Sequence, residues 1–276
     1  MTCVVTGSAS GIGAATSARL ASSGQRVIGV DVHDADVIAD LSTPYGRAAA
    51  IDGVKDLAAG VLDGLVTCAG LGPLPSRAGS AIVAVNYFGT VELLRGLRPL
   101  LANGASPAAV AISSNSTTCS PGVPDDVVGH CLADDETAVR ARADDLGGMA
   151  GVYPASKIAV ARWVRRAAVS PEWIGAGIRL NAIAPGMIDT AMIAEGRADA
   201  TVAPMLDLFP IPSGGPGRPE DVAAVIAFLL SEEAKLLVGS VVFADGGTDA
   251  LLRTDEWPAP WNLDLANVAA LFDSQR

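Results

Sequence analysis

Residues 2–13 read TCVVTGSASGIG. An apolar, β-branched run that stops at a glycine-rich turn is a strand entering a helix, and Gly7, Gly11 and Gly13 fall on that turn. Without Cβ atoms the backbone can approach a ligand closely there. The helix beyond the turn offers free N–H groups and the positive end of its dipole. The pattern places Gly7, Ser10, Gly11, Ile12 and Gly13 where the pyrophosphate of a dinucleotide would lie. Such a turn also occurs as an ordinary strand-to-helix loop, so its meaning depends on the residues farther along the chain.

The second strand ends RVIGVDV, which puts Asp31 about 20 residues beyond the glycines, where a carboxylate accepts hydrogen bonds from the adenosine ribose hydroxyls. The alternative reading of Asp31 is a turn residue at a strand edge. Its charge would repel a 2′-phosphate, and no arginine or lysine stands in Ser8 to Ser10 or directly after Asp31 to neutralise one. NAD is therefore expected rather than NADP.

Outward from this turn, short β-branched runs alternate with stretches of helical period. Strands are expected at 2–6, 26–32, 36–39, 64–68, 107–113, 177–183 and 240–244, and helices at 11–23, 44–60, 80–102, 153–169 and 219–230. That alternation describes one domain over 1–276, an α/β doubly wound fold of Rossmann type. Its seven-stranded parallel sheet is covered by helices on both faces, with any ligand at the carboxyl edge of the strands. Three segments break the rhythm. Residues 115–150 form an acidic, alanine-rich insertion in which Leu132, Ala138, Val139, Ala143 and Leu146 recur at helical spacing. Residues 186–217 are rich in Gly, Pro and Met and read as a lid carrying Met187, Ile188, Met192, Ile193, Met205, Leu208 and Phe209. Residues 250–276 extend past the last strand.

The chain has 276 residues, 50% of them apolar, enough for one large core. A net charge of −11 would repel nucleic acid and anionic membrane alike. The four cysteines are scattered and only two histidines are present, so no metal site is expected. Residues 1–30 lack the pattern of a secretion signal, and no apolar stretch reaches membrane-spanning length. A cytoplasmic protein with reduced thiols is the expectation.

Tyr153 and Lys157 stand four apart on an expected helix, so both side chains share one face. Pro154 suits the first turn of that helix. A phenol with a pKa near ~10 becomes a proton shuttle at neutral pH only if a nearby ammonium favours the phenolate, and Lys157 would supply that charge. The pair alone is a common accident on helix surfaces.

TGSASGIG at the first turn, Asp40 in ADLS, CAG at 68–70, VNYFG at 85–89, ISS at 112–114, YPASK at 153–157 and LNAIAPG at 180–186 together resemble the short-chain dehydrogenase/reductase family, in family order. Within it, DVIADLST, DGLVTCAGLGP, VNYFGT and VIAFLLS look like the bacterial 3α-hydroxysteroid dehydrogenase/carbonyl reductases, up to about Leu252. The resemblance implies an oxidoreductase that interconverts a secondary alcohol and a ketone with NAD. It makes Tyr153 the general acid/base, Lys157 its electrostatic partner and ribose ligand, and Ser114 the hydroxyl that polarises the carbonyl. Asn86 would complete a proton relay through water. It also puts Asp40 and Leu41 near the adenine, Ala69 and Gly70 beside the adenosine ribose, and Pro185, Ile188 and Thr190 near the nicotinamide carboxamide.

Two departures stand out. Thr67, Cys68, Ala69 and Gly70 replace the usual Asn-Asn-Ala-Gly, and Ser114 lies 39 positions before Tyr153, farther than in most of the family. Ser113 is the rival of Ser114, since neighbours on a strand point to opposite faces. A general alcohol dehydrogenase without steroid preference, and a non-catalytic NAD-binding regulator, are the alternative functions. The resemblance further implies that the insertion obstructs the helices at 80–102 and 153–169 as an association surface, leaving a homodimer paired through 219–244.

Overall fold

In the computed structural model, which describes residues 1–149, 151–262, 264, 267 and 268, strands and helices alternate along the chain. β1 (Thr2–Thr6) leads through α1 (Gly11–Ser22) to β2 (Arg26–Asp31) and β3 (Val37–Ile38), and α2 (Pro44–Ala58) returns to β4 (Gly64–Thr67). α3 (Gly79–Val83) and α4 (Thr90–Leu101) precede β5 (Ala108–Ile112). Next come α5 (Ser116–Cys119), α6 (Asp125–Leu132), α7 (Glu136–Leu146), α8 (Val152–Ala168) and β6 (Arg179–Pro185). α9 (Ala191–Ala198), α10 (Ala203–Asp207), α11 (Pro219–Leu230), β7 (Val241–Ala244) and α12 (Thr248–Arg253) complete the described elements.

The seven strands are all parallel in the order β3-β2-β1-β4-β5-β6-β7, the doubly wound arrangement expected from the sequence. Alternate residues of each strand enter alternate cores. Val4, Leu65, Ala109, Ala111, Leu180 and Ala182 join the core that contains residues of α2, α4 and α8. Cys3, Val5, Val66, Val110, Ile112 and Ile183 join the opposite core, which takes in Leu20 of α1 and Val222, Ile226 and Leu229 of α11. A sheet buried on both faces needs apolar residues at every position, hence continuous apolar runs in place of polar alternation. The strand order reverses between β1 and β4, and their carboxyl ends diverge there into a crevice.

Several element boundaries differ from the sequence reading. β6 runs over Arg179–Pro185 rather than 177–183, because Gly177 has φ +77° and closes a turn, while Ala184 and Pro185 pair with Phe243 and Ala244 of β7. The single helix expected at 80–102 is interrupted by a π-helical turn at Ala84–Gly89. Its buried Asn86 bonds both backbone groups of Leu71, a tertiary contact that periodicity does not encode. The helical run in 131–146 divides between α6 and α7, where Asp134 adopts φ +57° and the Asp135 carboxylate caps α7 through the Ala138 amide at 3.0 Å. Val139 and Ala143 are buried and Leu132 and Leu146 half-buried, with α6 packed on α8 and α7 on α3.

Arg47 on α2 is fully buried. Its guanidinium pairs with Glu92 of α4 at 2.7 Å and Glu136 of α7 at 2.5 Å, donates to the Leu41 carbonyl at 3.3 Å, and lies 5.8 Å from the Phe88 ring centre. Removing one member of a buried ion pair strands the others, at a cost of ~3–5 kcal/mol. Both glutamates can still reach water, so Arg47→Met is expected to lower stability by about 3 kcal/mol, the lower end of that range. Urea unfolding should show the midpoint falling at an unchanged slope, whereas a midpoint equal to that of the wild type would refute this account.

Candidate active site

The glycine turn is built by backbone collision. Gly7 has φ +66°, and a Cβ there would sit 2.8 Å from the amide nitrogen of Ala69 at the end of β4. A Cβ on Gly13 would strike the Gly7 carbonyl, so α1 can start directly against the end of β1 only with glycine at that position. Gly11 has φ +52° and faces the Thr190 methyl, where a Cβ would lie 3.2 Å away. A cleft of about 760 Å³ opens above this turn. It is lined by Gly7, Ser10, Gly11, Ile12, Gly13, Asp31, Asp40, Leu41, Ala69, Gly70, Ser114, Tyr153, Lys157, Pro185, Ile188 and Thr190, every residue the sequence nominated except Asn86.

At one end of the cleft the Asp31 carboxylate accepts from the Ala9 amide at 3.0 Å and the Val32 amide at 2.7 Å. Its oxygens are thus fixed in direction yet retain lone pairs toward the cleft. The lysine and arginine among the lining residues, Lys157 and Arg77, belong to the other half, with Lys157 on Ile112 and Arg77 on Gly72.

That half gathers the titratable groups. Ser113 turns its hydroxyl inward and donates to the Lys157 carbonyl at 3.0 Å. The Ser114 hydroxyl instead accepts from the Ser116 amide at 3.1 Å and stands beside the Tyr153 phenol. Burial pushes the Tyr153 phenol up, and the hydrogen bond with Ser114 opposes it. The spacing of the pair along the helix has Lys157 favour the phenolate. Here the Lys157 ammonium donates to the Ile112 carbonyl at 2.9 Å, 5.9 Å from the Tyr153 ring centre, and burial rather than Lys157 sets the direction of the phenol's shift. Burial likewise lowers Lys157 to about 8.

Asn86 is buried behind the cleft. Its Oδ1 accepts from the Leu71 amide at 2.8 Å, and its Nδ2 donates to the Leu71 carbonyl at 3.1 Å and to the Ser156 hydroxyl at 3.2 Å. It clamps the turn at Gly70–Leu71, where a Cβ on Gly70 would lie 3.3 Å from Asn86 Oδ1 and 3.6 Å from Lys157 Nζ. Glycine at 70 therefore keeps the space between the amide and the ammonium open.

Of the seven apolar residues singled out in 186–217, Ile188, Met192 and Ile193 line the cleft. Met187 lines a separate cavity beside α11 and β7, and Met205 and Leu208 are exposed. α9 is tied across the cleft by Glu195, whose carboxylate takes two bonds from Arg77 at 2.8 and 3.0 Å, while Arg77 also donates to the Gly72 carbonyl at 2.6 Å. Sequence reasoning missed this pair, since the partners stand 118 residues apart in no motif. Part of 250–276 falls outside the described residues. The rest packs α12 against α5, where Thr118 donates to Asp249 and Asp249 pairs with Arg253. Among the described residues no helix is long and apolar enough to cross a membrane, and no cluster of three or more potential metal ligands occurs.

Residues 1–123 match the family described as short chain dehydrogenase, and residues 140–249 match the one described as Enoyl-(Acyl carrier protein) reductase. The chain is 40% identical to the 3-alpha-hydroxysteroid dehydrogenase/carbonyl reductase of Comamonas testosteroni, over 92% of this chain and 98% of that one. It belongs to the short-chain dehydrogenase/reductase family. A second family member, cis-4-hydroxycyclohexanecarboxylate dehydrogenase of Sinomonas cyclohexanicum, is 33% identical over 90% of this chain and 96% of that one. Among solved short-chain dehydrogenases, the 3-alpha-hydroxysteroid dehydrogenase from Pseudomonas sp. B-0831 complexed with NADH superposes with a TM-score of 0.88. Its identity is 44%, over 92% of this chain and 99% of that one. The protein is accordingly an oxidoreductase acting on CH–OH groups, in a family that uses NAD(P).

A lysine lowered to about 8 loses its charge early as pH rises. The kcat/KM for ketone reduction is therefore expected to fall above about pH 8. In Lys157→Arg that limb should vanish whatever the rate, because a guanidinium keeps its proton. A pH profile in which the wild type and Lys157→Arg share the same alkaline limb would exclude Lys157 as its origin.

Proposed function

We propose that this protein is an NAD-dependent dehydrogenase that interconverts a secondary alcohol and a ketone on bulky apolar substrates, in the manner of a 3α-hydroxysteroid dehydrogenase/carbonyl reductase. The observation that carries this reading is the convergence of the Ser114 and Tyr153 hydroxyls in the cleft that the glycine turn and Asp31 also line. The residues fit the dinucleotide. The glycine cradle leaves backbone room for a pyrophosphate, and Asp31 offers acceptors to ribose hydroxyls while opposing a 2′-phosphate, with no lysine or arginine lining that half of the cleft among the described residues. The relative complexed with NADH supports the same choice.

When bound, the nicotinamide ring supplies the hydride for reduction or receives it in oxidation. Ser114 and Tyr153 donate hydrogen bonds to the substrate oxygen as negative charge grows there, and Tyr153 passes its proton to that oxygen. Burial leaves the phenol carrying its proton at neutral pH, and the negative charge that grows on the substrate oxygen is what draws that proton across. Oxidation reverses each transfer. Lys157, held by the Ile112 carbonyl, orients the phenol and binds the ribose, and the gap kept by Gly70 admits a water between Lys157 and Asn86 to renew the proton. Ile188, Met192 and Ile193 provide an apolar wall for the substrate. The relative acting on cis-4-hydroxycyclohexanecarboxylate favours a second reading, a general alicyclic alcohol dehydrogenase without steroid preference.

Tyr153→Phe should bind NADH normally and lose turnover by at least ~10²-fold, whereas Ser113→Ala should retain far more activity than Ser114→Ala. Asp31→Ala should relax a strong preference for NAD over NADP. Equal wild-type efficiency with both cofactors, or an active Tyr153→Phe, would overturn the assignment, and a ketone panel separates steroid from general alicyclic use.

β7 is only half-buried along its length, and Phe228 of α11 is exposed, which supports a homodimer paired through 219–244. Light scattering should find a mass near twice that of the chain, and a tetramer paired through α8 would exclude this arrangement.

A further inference from the structure

The adenine end of the cleft is lined by Asp40, Leu41 and Ser42, a turn between β3 and α2. Within the turn, the Asp40 carboxylate accepts from the Ser42 amide at 2.9 Å, the Asp40 carbonyl from the Thr43 amide and hydroxyl at 3.3 Å each, and Thr43 caps α2 through the Gly46 amide at 3.0 Å. Both of the next two carbonyls, however, face a guanidinium. The Leu41 carbonyl accepts from buried Arg47 at 3.3 Å, and the Ser42 carbonyl accepts from Arg140 of α7 at 3.0 Å. Glu136, one turn before Arg140, bridges the two cations, taking Arg47 on one oxygen and Arg140 on the other at 3.2 Å. Two positive and two negative groups thus alternate from Glu92 through Arg47 and Glu136 to Arg140.

We infer that Glu136 and Arg140, on the segment between Ser114 and Tyr153, are positioning residues for the adenine half of the dinucleotide, acting through the backbone of Leu41 and Ser42. The inference rests on the proposed dinucleotide reading of the cleft. The Arg47 bond to Leu41 lies between buried groups, but the Arg140 bond is not needed to satisfy a group cut off from water, since Ser42 is only half-buried and Arg140 stays 37% exposed. A guanidinium held there by a carboxylate instead sets the turn in place before any ligand arrives, so less ordering remains to be done on binding. The effect is confined to affinity, because the turn lies at the opposite end of the cleft from Ser114, Tyr153 and Lys157. α7 is thereby joined to the cofactor end of the site by contacts that reach back 98 residues, from Arg140 to Ser42.

Arg140→Met keeps the apolar stem and removes the donor. NADH fluorescence titration and calorimetry with ADP-ribose should each show a Kd raised about fivefold, the scale of one ordinary hydrogen bond, as suits a half-exposed donor, with the melting temperature of the ligand-free protein lowered by no more than a few degrees. Arg140→Lys should recover part of that loss. Arg142→Met is the control on the same helix, since Arg142 pairs with Asp126 at 2.6 Å away from the turn, and its affinities should match the wild type. Unchanged affinity in Arg140→Met, or loss of NADH affinity without loss of ADP-ribose affinity, would overturn the inference while leaving the dinucleotide reading intact. A wild-type protein that binds neither NADH nor ADP-ribose would overturn both.

Discussion

The meeting of β1, α1 and β4 at Gly7 and Gly13 is the contact on which the rest of the site depends. Three pieces of backbone come together there at distances that leave no room for a side chain. The Gly7 amide bonds the Val30 carbonyl of β2, and the Thr6 hydroxyl accepts from the Ala69 amide two residues past β4, so the ends of three neighbouring strands are fixed relative to one another. Once they are fixed, the helix N-terminus, the Asp31 carboxylate and the Ala69–Gly70 turn face one crevice. Only a parallel sheet with its order reversing at β1 and β4 brings these strand ends to the same side.

Desolvation is the second organising force. The crevice floor is so enclosed that it opposes charge on both members of the Tyr153–Lys157 pair, raising the phenol and lowering the ammonium. The two shifts act in the direction of a neutral pair, and each member is steadied by a different neighbour. Ser114 stands beside the phenol and opposes its rise, and the Ile112 carbonyl at the end of β5 receives the ammonium. The serine next door is diverted into the helix backbone, which leaves a single strand-end hydroxyl facing the phenol. Even the thiol at Cys68, where the family carries asparagine, is pushed up to about 12 by the same enclosure and stays a neutral packing group.

Charge on the periphery obeys a different rule. Arg47 is buried without leaving its charge unmatched because two helices deliver a carboxylate each, one of them from the insertion. Arg77 and Glu195 join the loop at Gly72 to α9 across the cleft in the same way. These pairs connect segments distant in sequence, and as partners they set geometry more than net stability.

Much of this was legible in the chain itself. Alternating β-branched and helical runs prescribe a parallel sheet because strands buried on both faces must be apolar throughout. The glycines, Asp31 and the Tyr153–Lys157 spacing announce themselves because backbone clearance and helix periodicity are local properties. Other features could not be read locally. The π turn at Asn86, the displacement of β6 toward Pro185, the division of labour between Ser113 and Ser114, and the reach of Arg140 to Ser42 are each decided by a partner dozens of residues away. The same holds for the protonation of Tyr153. Residue spacing sets which groups share a helix face, but the enclosure that pushes the phenol's pKa up exists only after the strands and helices have closed around it.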